Sequence, residues 1–273
     1  MSMYGKYNEE VGFTSLHEQH KAMQAENVSA DNSQDAQIAQ LIVRHDESVT
    51  EDSLQNAQIT QLLARVEALE AIVFKAETAN LLNKIENMAE GDEATISFPS
   101  DVILSDKAMS VKANTKVTLE LNDTLIQSSN PVVDAILVED GATLVINGNG
   151  TIATSNGGDG YPIIANGNLV INGGHFVSSY DANNLANACV YARGNGQIEI
   201  YGGRFESVDG SFVLNIKDAD RATASIKAMG GEYVNFNPSD NASEGEHTNF
   251  VPSGYKVESY VEGDNTIYKV VQE

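Results

Sequence analysis

A chain of 273 residues with 41% hydrophobic side chains is long enough for one or two domains and apolar enough for a packed core. Its 39 acidic against 16 basic side chains, a net charge of −23, exclude the basic footprint that nucleic-acid backbones require. The single cysteine excludes internal disulfides and cysteine-built metal sites. Set in Ala188-Cys189-Val190 beside an apolar stretch, Cys189 is expected to be a core thiol and not a nucleophile. The N-terminus has no apolar h-region and no run of about 18 apolar residues occurs, so neither a signal peptide nor membrane insertion is expected.

The chain changes character near Gly91. Before it lie only Gly5 and Gly12 and no proline; after it come every proline, the remaining glycines and dense Val, Ile, Thr and Tyr. Residues 1–27 lack a sustained period, and Tyr4, Tyr7, Phe13 and Leu16 stand among polar residues. They read either as an attachment segment ordered by a partner or as a frayed terminus. Residues 28–92 contain an internal repeat: Val28–Arg44 matches Val49–Arg65 at an offset of 21 residues, three heptads. A seam with steps of three and four runs from Asp31 to Ala76 and includes Ile38, Leu41, Ile59, Leu62, Val66, Leu69 and Val73. Such a narrow stripe needs partner helices, and the chain offers no second long helix, so parallel self-association is expected. Residues 31–76 would make a rod of about 70 Å. Between His45 and Gln55 the seam turns polar, which predicts either register-setting layers or a break at Asp46–Thr50. A second apolar phase, Phe74, Leu81, Ile85 and Met88, follows.

Residues 93–250 repeat at a longer period. Leu121, Ile146, Ile171, Ile200 and Ala228 open aligned segments spaced by 25, 25, 29 and 28 residues, and Ile136, Ile163 and Val190 fall 27 apart with Val213 continuing them. Three short strands per period with glycine corners predict one coil of a parallel β-helix, whose equivalent side chains stack in ladders. The expected ladders are Leu121/Ile146/Ile171/Ile200/Ala228, Phe176/Phe205/Tyr233 and an amide ladder Asn122/Asn147/Asn172. A β-sandwich is the alternative, but it does not predict aligned columns. Residues 251–273 read as two strands around Glu262-Gly-Asp-Asn, a hairpin expected to cover the last coil.

No P-loop, dinucleotide fingerprint, zinc spacing or Gly-x-Ser-x-Gly motif occurs, so no cofactor or metal is expected. Glu199, Glu206, Asp209, Asp218 and Asp220 cluster in the later coils near Arg193, Arg204, Lys217 and Arg221. With 39 acids in the chain such proximity is ordinary, and most of these sit in turns that favour aspartate. Catalysis is therefore not expected; the alternative is a polysaccharide hydrolase or lyase using an acidic pair there. Tyr161, Tyr180, Tyr191 and Tyr201 are candidates to stack on sugars, against the plainer reading that some are core.

The order of short N-terminal segment, heptad-bearing helix and compact β-helix resembles bacteriophage fibre proteins, most of all the head fibres that decorate capsids. The corners Gly173-Gly174-His175-Phe176, Gly202-Gly203-Arg204-Phe205 and Gly230-Gly231-Glu232-Tyr233 resemble modules of phage and gut-bacterial surface proteins. The resemblance implies separate α and β domains: an N-terminal parallel coiled coil, then a short right-handed parallel β-helix with a C-terminal capping hairpin. It further implies a virion protein assembled in the host cytoplasm and a homotrimer, whereas Ile or Val at the first core position with Leu at the second leans toward a homodimer. Its N-terminus would hold the capsid or another virion protein, and its β-helix would meet a host-surface glycan. A cellular adhesin is a further alternative.

Overall fold

The computed structural model describes residues 3–155, 160–178, 188–207 and 212–273, with 3–17 described by backbone alone. The chain divides into two units, Met1–Leu69 and Glu70–Glu273. A single helix, α1, spans Met3–Glu86. It passes through Asp46–Thr50 without a break, the Thr50 hydroxyl donating to the Asp46 carbonyl at 2.8 Å. A proline-free sequence rich in Ala, Gln, Glu and Leu sustains helix whether or not its seam is apolar.

The second unit is a parallel β-solenoid of about five turns. Each turn contributes three strands, beginning with β1 (Glu93–Ile96), β2 (Val102–Leu104) and β3 (Met109–Val111). The second gives β4 (Lys116–Glu120), β5 (Leu125–Ser128) and β6 (Ile136–Val138), the third β7 (Thr143–Asn147), β8 (Thr151–Thr154) and β9 (Ile163–Ala165). The fourth gives β10 (Asn168–Ile171), β11 (His175–Ser178) and β12 (Val190–Ala192), the fifth β13 (Gln197–Ile200), β14 (Arg204–Ser207) and β15 (Leu214–Ile216). β16 (Ser225–Ala228) and β17 (Glu232–Val234) follow, then the long pair β18 (Tyr255–Glu262) and β19 (Asn265–Gln272). Corresponding strands pair in parallel into three sheets, β1-β4-β7-β10-β13-β16, β2-β5-β8-β11-β14-β17 and β3-β6-β9-β12-β15. β19 runs antiparallel to β17, placing Tyr268 opposite Tyr233, and β18 pairs antiparallel with β19 around Gly263-Asp264. Gly263 takes φ +61° at the first loop position, the left-handed geometry glycine tolerates there.

Register produces the ladders. Phe176, Phe205 and Tyr233 are fully buried and stacked, with ring centroids 4.8 and 5.0 Å apart and planes within 12°. Val102, Ile126 and Ile152 continue the column toward the first turn. Two expected columns need correction. Ile146 pairs with Leu119, not Leu121, and Val190 pairs with Leu214, not Val213. Leu121 is still buried but fills the corner, where Gly148, Gly150 and Gly174 leave room; a Cβ on Gly150 or Gly174 would come within 2.8 Å of its side chain. The corner beside it uses Asn122 and Asp123 at φ +43° and +62° where later coils use glycine. The amide ladder is correspondingly shorter. Asn172 donates to the Asn147 Oδ1 at 2.8 Å, but Asn147 donates to Glu120 and Asn122 to Ser97.

Both ends of the stack are closed. At the first turn Thr78, Leu81, Leu82 and Ile85 of α1, with Met88 just beyond its end, pack on the core, Thr78 Oγ1 lying 3.0 Å from Ser100 Oγ and Glu86 pairing with Lys107. Thus Leu81, Ile85 and Met88 of the second apolar phase belong to the solenoid, while Phe74 stays exposed. At the last turn Phe236 and Phe250 join the core, Phe236 tilted 45° against Tyr233. The Ala228 N–H donates to the Phe250 carbonyl at 2.8 Å, and the Ile216 N–H to Glu244 at 2.5 Å. The segment between β17 and β18 therefore takes edge hydrogen bonds that a sixth full turn would have taken.

The ladder predicts that Phe205→Ala, removing the middle ring, costs about 3–5 kcal/mol in equilibrium urea unfolding. A polar staple gives a pH-dependent counterpart. Glu139 accepts from Ser110 Oγ at 2.7 Å, Lys112 Nζ at 3.1 Å and the Ala113 N–H at 3.2 Å, tying the second turn to the first. Burial pushes its carboxyl up, but these donors outweigh burial and hold it below its ordinary 4.5. A depressed carboxyl stabilises the fold above its unfolded value and loses that contribution as pH falls through the folded one. Glu139→Gln should therefore cost about 1 kcal/mol at neutral pH, with wild type and variant converging in acid; a pH-independent difference would contradict this.

Candidate functional site

The seam residues are where the helix is most unusual. Ile38, Leu41, Ile59, Leu62, Val66, Leu69 and Val73 are all between 49% and 60% exposed, as are neighbouring Ile42, Val49 and Leu63. Large aliphatics recurring at heptad spacing form an apolar stripe in contact with water at Ile38–Leu41 and again from Ile59 to Val73, interrupted by His45, Ser48, Asp52 and Gln55. The stripe is wider than the sequence-level seam, which omitted Ile42, Val49 and Leu63. Their signal was present in the same heptads, one position after Leu41, Ser48 and Leu62. Tyr4, Tyr7, Phe13 and Leu16 fall on the helical backbone of α1, and their side chains lie outside the described residues.

The tyrosines separate into different environments. Tyr161 and Tyr191 come together on the solenoid, stacked with centroids 4.7 Å apart and planes at 11°. Each spends one ring face on the other. Burial pushes the Tyr191 hydroxyl up, and burial likewise raises the carboxyl of Asp134, which accepts the Tyr161 N–H at 2.9 Å. Tyr201 sits elsewhere, 49% exposed, its hydroxyl donating to Glu199 at 3.0 Å. It borders an open groove of about 600 Å³ over the Gly202-Gly203 and Gly230-Gly231 corners, with Arg204, Glu232 and Lys269 beyond. The corner glycines are required by coil-on-coil packing, because a Cβ on Gly230 would collide with the Tyr201 carbonyl. Tyr255, from the terminal hairpin, closes the groove and was not singled out by sequence. Tyr180 lies outside the described residues.

Asp218, Asp220, Glu199 and Glu244 are engaged in structural bonds. Asp220 accepts the Gly194 N–H at 2.7 Å, Asp218 pairs with Arg221 at 2.7 Å, and Arg221 also meets Glu244 at 2.6 Å. Glu206 lies 3.4 Å from His175 Nε2, Glu199 pairs with Lys227, and Arg204 binds Glu262 through both guanidinium nitrogens. Asp209 lies outside the described residues. Among the described residues no group of three His, Cys, Asp or Glu is arranged to hold a metal. No described helix is long and apolar enough to cross a membrane.

Cys189 is fully buried, its Sγ 3.1 Å from the Glu206 carbonyl and 3.5 Å from that of Phe176. Burial pushes the thiol up to about 11. No family model, curated protein or solved structure matches the chain.

Because the thiolate is the reactive form and this thiol is both sealed and protonated, native protein at pH 8 should not react with a chromogenic disulfide reagent. One thiol per chain should appear after denaturation; rapid native labelling would show that the core opens at that turn.

Proposed function

We propose that the chain is the subunit of a homo-oligomeric structural fibre, in which α1 associates with copies of itself and the solenoid is the displayed domain. The observation that carries this reading is the exposed heptad row from Ile38 to Val73, since a helix with that stripe reaches a stable state by burying it against other helices. A copy of the same chain is the partner that fits. With Ile59 and Val66 at the first core position, a, and Leu62 and Leu69 at the second, d, Arg65 falls at g and Glu70 at the following e. Opposite charges at g and e favour parallel, in-register helices. The apolar e positions Ile42, Val49 and Leu63 broaden the stripe beyond a two-stranded seam and favour a trimer over a dimer.

The particle that such a fibre decorates is, by resemblance of architecture, a phage capsid, with the N-terminal segment as anchor and the solenoid toward the host surface. Non-catalytic adhesion suits the acidic side chains Asp218, Glu244, Glu199 and Asp220, which are committed to Arg221, Lys227 and backbone donors. On this reading the sugar-contacting surface centres on Tyr201, whose exposed ring borders the groove. The terminal hairpin serves as an end cap, its strand β19 occupying the edge of β17.

Light scattering tests the reading on the full chain. The expected mass is three times 29.3 kDa at micromolar concentration, falling to the monomer in Leu62→Asp/Val66→Asp, which places like charges together at the axis. A monomeric wild type would sink it.

A further inference from the structure

The seam register does not stop at Ala76. Counting on in steps of four and three gives Asn80, Asn83 and Asn87 at the core positions, and all three are exposed. The residues that dock on the solenoid, Thr78, Leu81, Leu82, Ile85 and Met88, occupy the b, c and f positions of the same heptads. The last turns of α1 therefore have two opposed faces. The outer one is apolar and covered by the chain's own first coil; the one in line with the exposed seam is built of amides. Simple solvation does not call for asparagine, which is a weaker helix former than Glu, Lys or Gln.

We propose that Asn80 and Asn83 form amide layers between parallel, in-register copies of this chain, extending the self-association seam past the point where the solenoid joins the helix. The inference rests on the self-association reading and adds where the interface ends and what fixes its register. Symmetry brings each core residue against its own copy. An amide is donor and acceptor at once and so satisfies an identical amide, whereas Lys or Glu would repel its own image. From Ile59 to Asn83 no core position carries a charge, and the Arg65–Glu70 pairing fits the same parallel alignment. Asn87 ends the seam: its amide donates back to the Asn83 carbonyl at 2.7 Å, closing the helix on itself. Buried asparagine layers select one register and one number of strands at some loss of stability.

The full chain supplies a clean assay, since its only native thiol, Cys189, is buried. Asn83→Cys should form an intermolecular disulfide under mild oxidation, read on a non-reducing gel, because parallel core positions bring the Cα atoms within about 7 Å. Gln61→Cys, exposed at position c, should stay reduced. In a second arm, Asn80→Lys/Asn83→Lys should raise the concentration of half-dissociation about tenfold or more, while Asn80→Gln/Asn83→Gln leaves the chain oligomeric. If wild type is oligomeric but Asn83→Cys does not cross-link and the lysine variant dissociates within twofold of wild type, this inference is overturned and the fibre reading stands. A monomeric wild type overturns both.

Discussion

A stack of coils held by parallel main-chain hydrogen bonds has two ends, and each end presents a cross-section of apolar core ringed by unpaired N–H and C=O groups. The rest of this architecture answers that constraint. At the first turn the answer is helical: α1 lays Leu81, Leu82 and Ile85 over the core, and Ile85 is almost completely buried. At the last turn the answer is irregular: Phe236 and Phe250 fill the opening, and the Phe250 carbonyl and Glu244 carboxylate accept N–H groups of the final strands.

The helix end consequently carries two faces that share no side chains, one buried on the solenoid and one exposed. Residues at b, c and f close the solenoid, while the a and d register faces away from it. A helix is well suited to this division because its 3.6-residue period separates two apolar or polar stripes by half a turn without altering the backbone.

Much of the solenoid was legible in sequence, and the limits are instructive. The aromatic column Phe176/Phe205/Tyr233 could be read because Gly-Gly corners fix its spacing to the preceding strand in each coil. The Leu121 column was misread because the second coil turns its corner with Asn122 and Asp123 in left-handed conformations, and so matches the Leu-Asn pattern two residues late. Leu214 was displaced by one for a related reason: Val213 is also buried, and an apolar doublet does not declare which member lies in the ladder. In the helix, continuity through Asp46–Thr50 was not readable, since a polar seam bears on association and leaves intrachain hydrogen bonding untouched. The groove beside Tyr201 depends on Tyr255, which β18 brings back from far along the chain, and no local pattern carries such a contact.

Each coil of the solenoid pairs its strands with those of the coil before and the coil after, and both closures are made by segments outside the repeat. Length is thereby uncoupled from foldability. Gain or loss of one coil of about 27 residues would move the terminal hairpin along the axis by about 4.8 Å, leaving the helix-docked end and the Phe236–Phe250 end as they are. A lineage carrying this chain has a ruler graduated in single strand spacings, on which the length of the stack can drift by duplication and deletion while neither end needs to be reinvented.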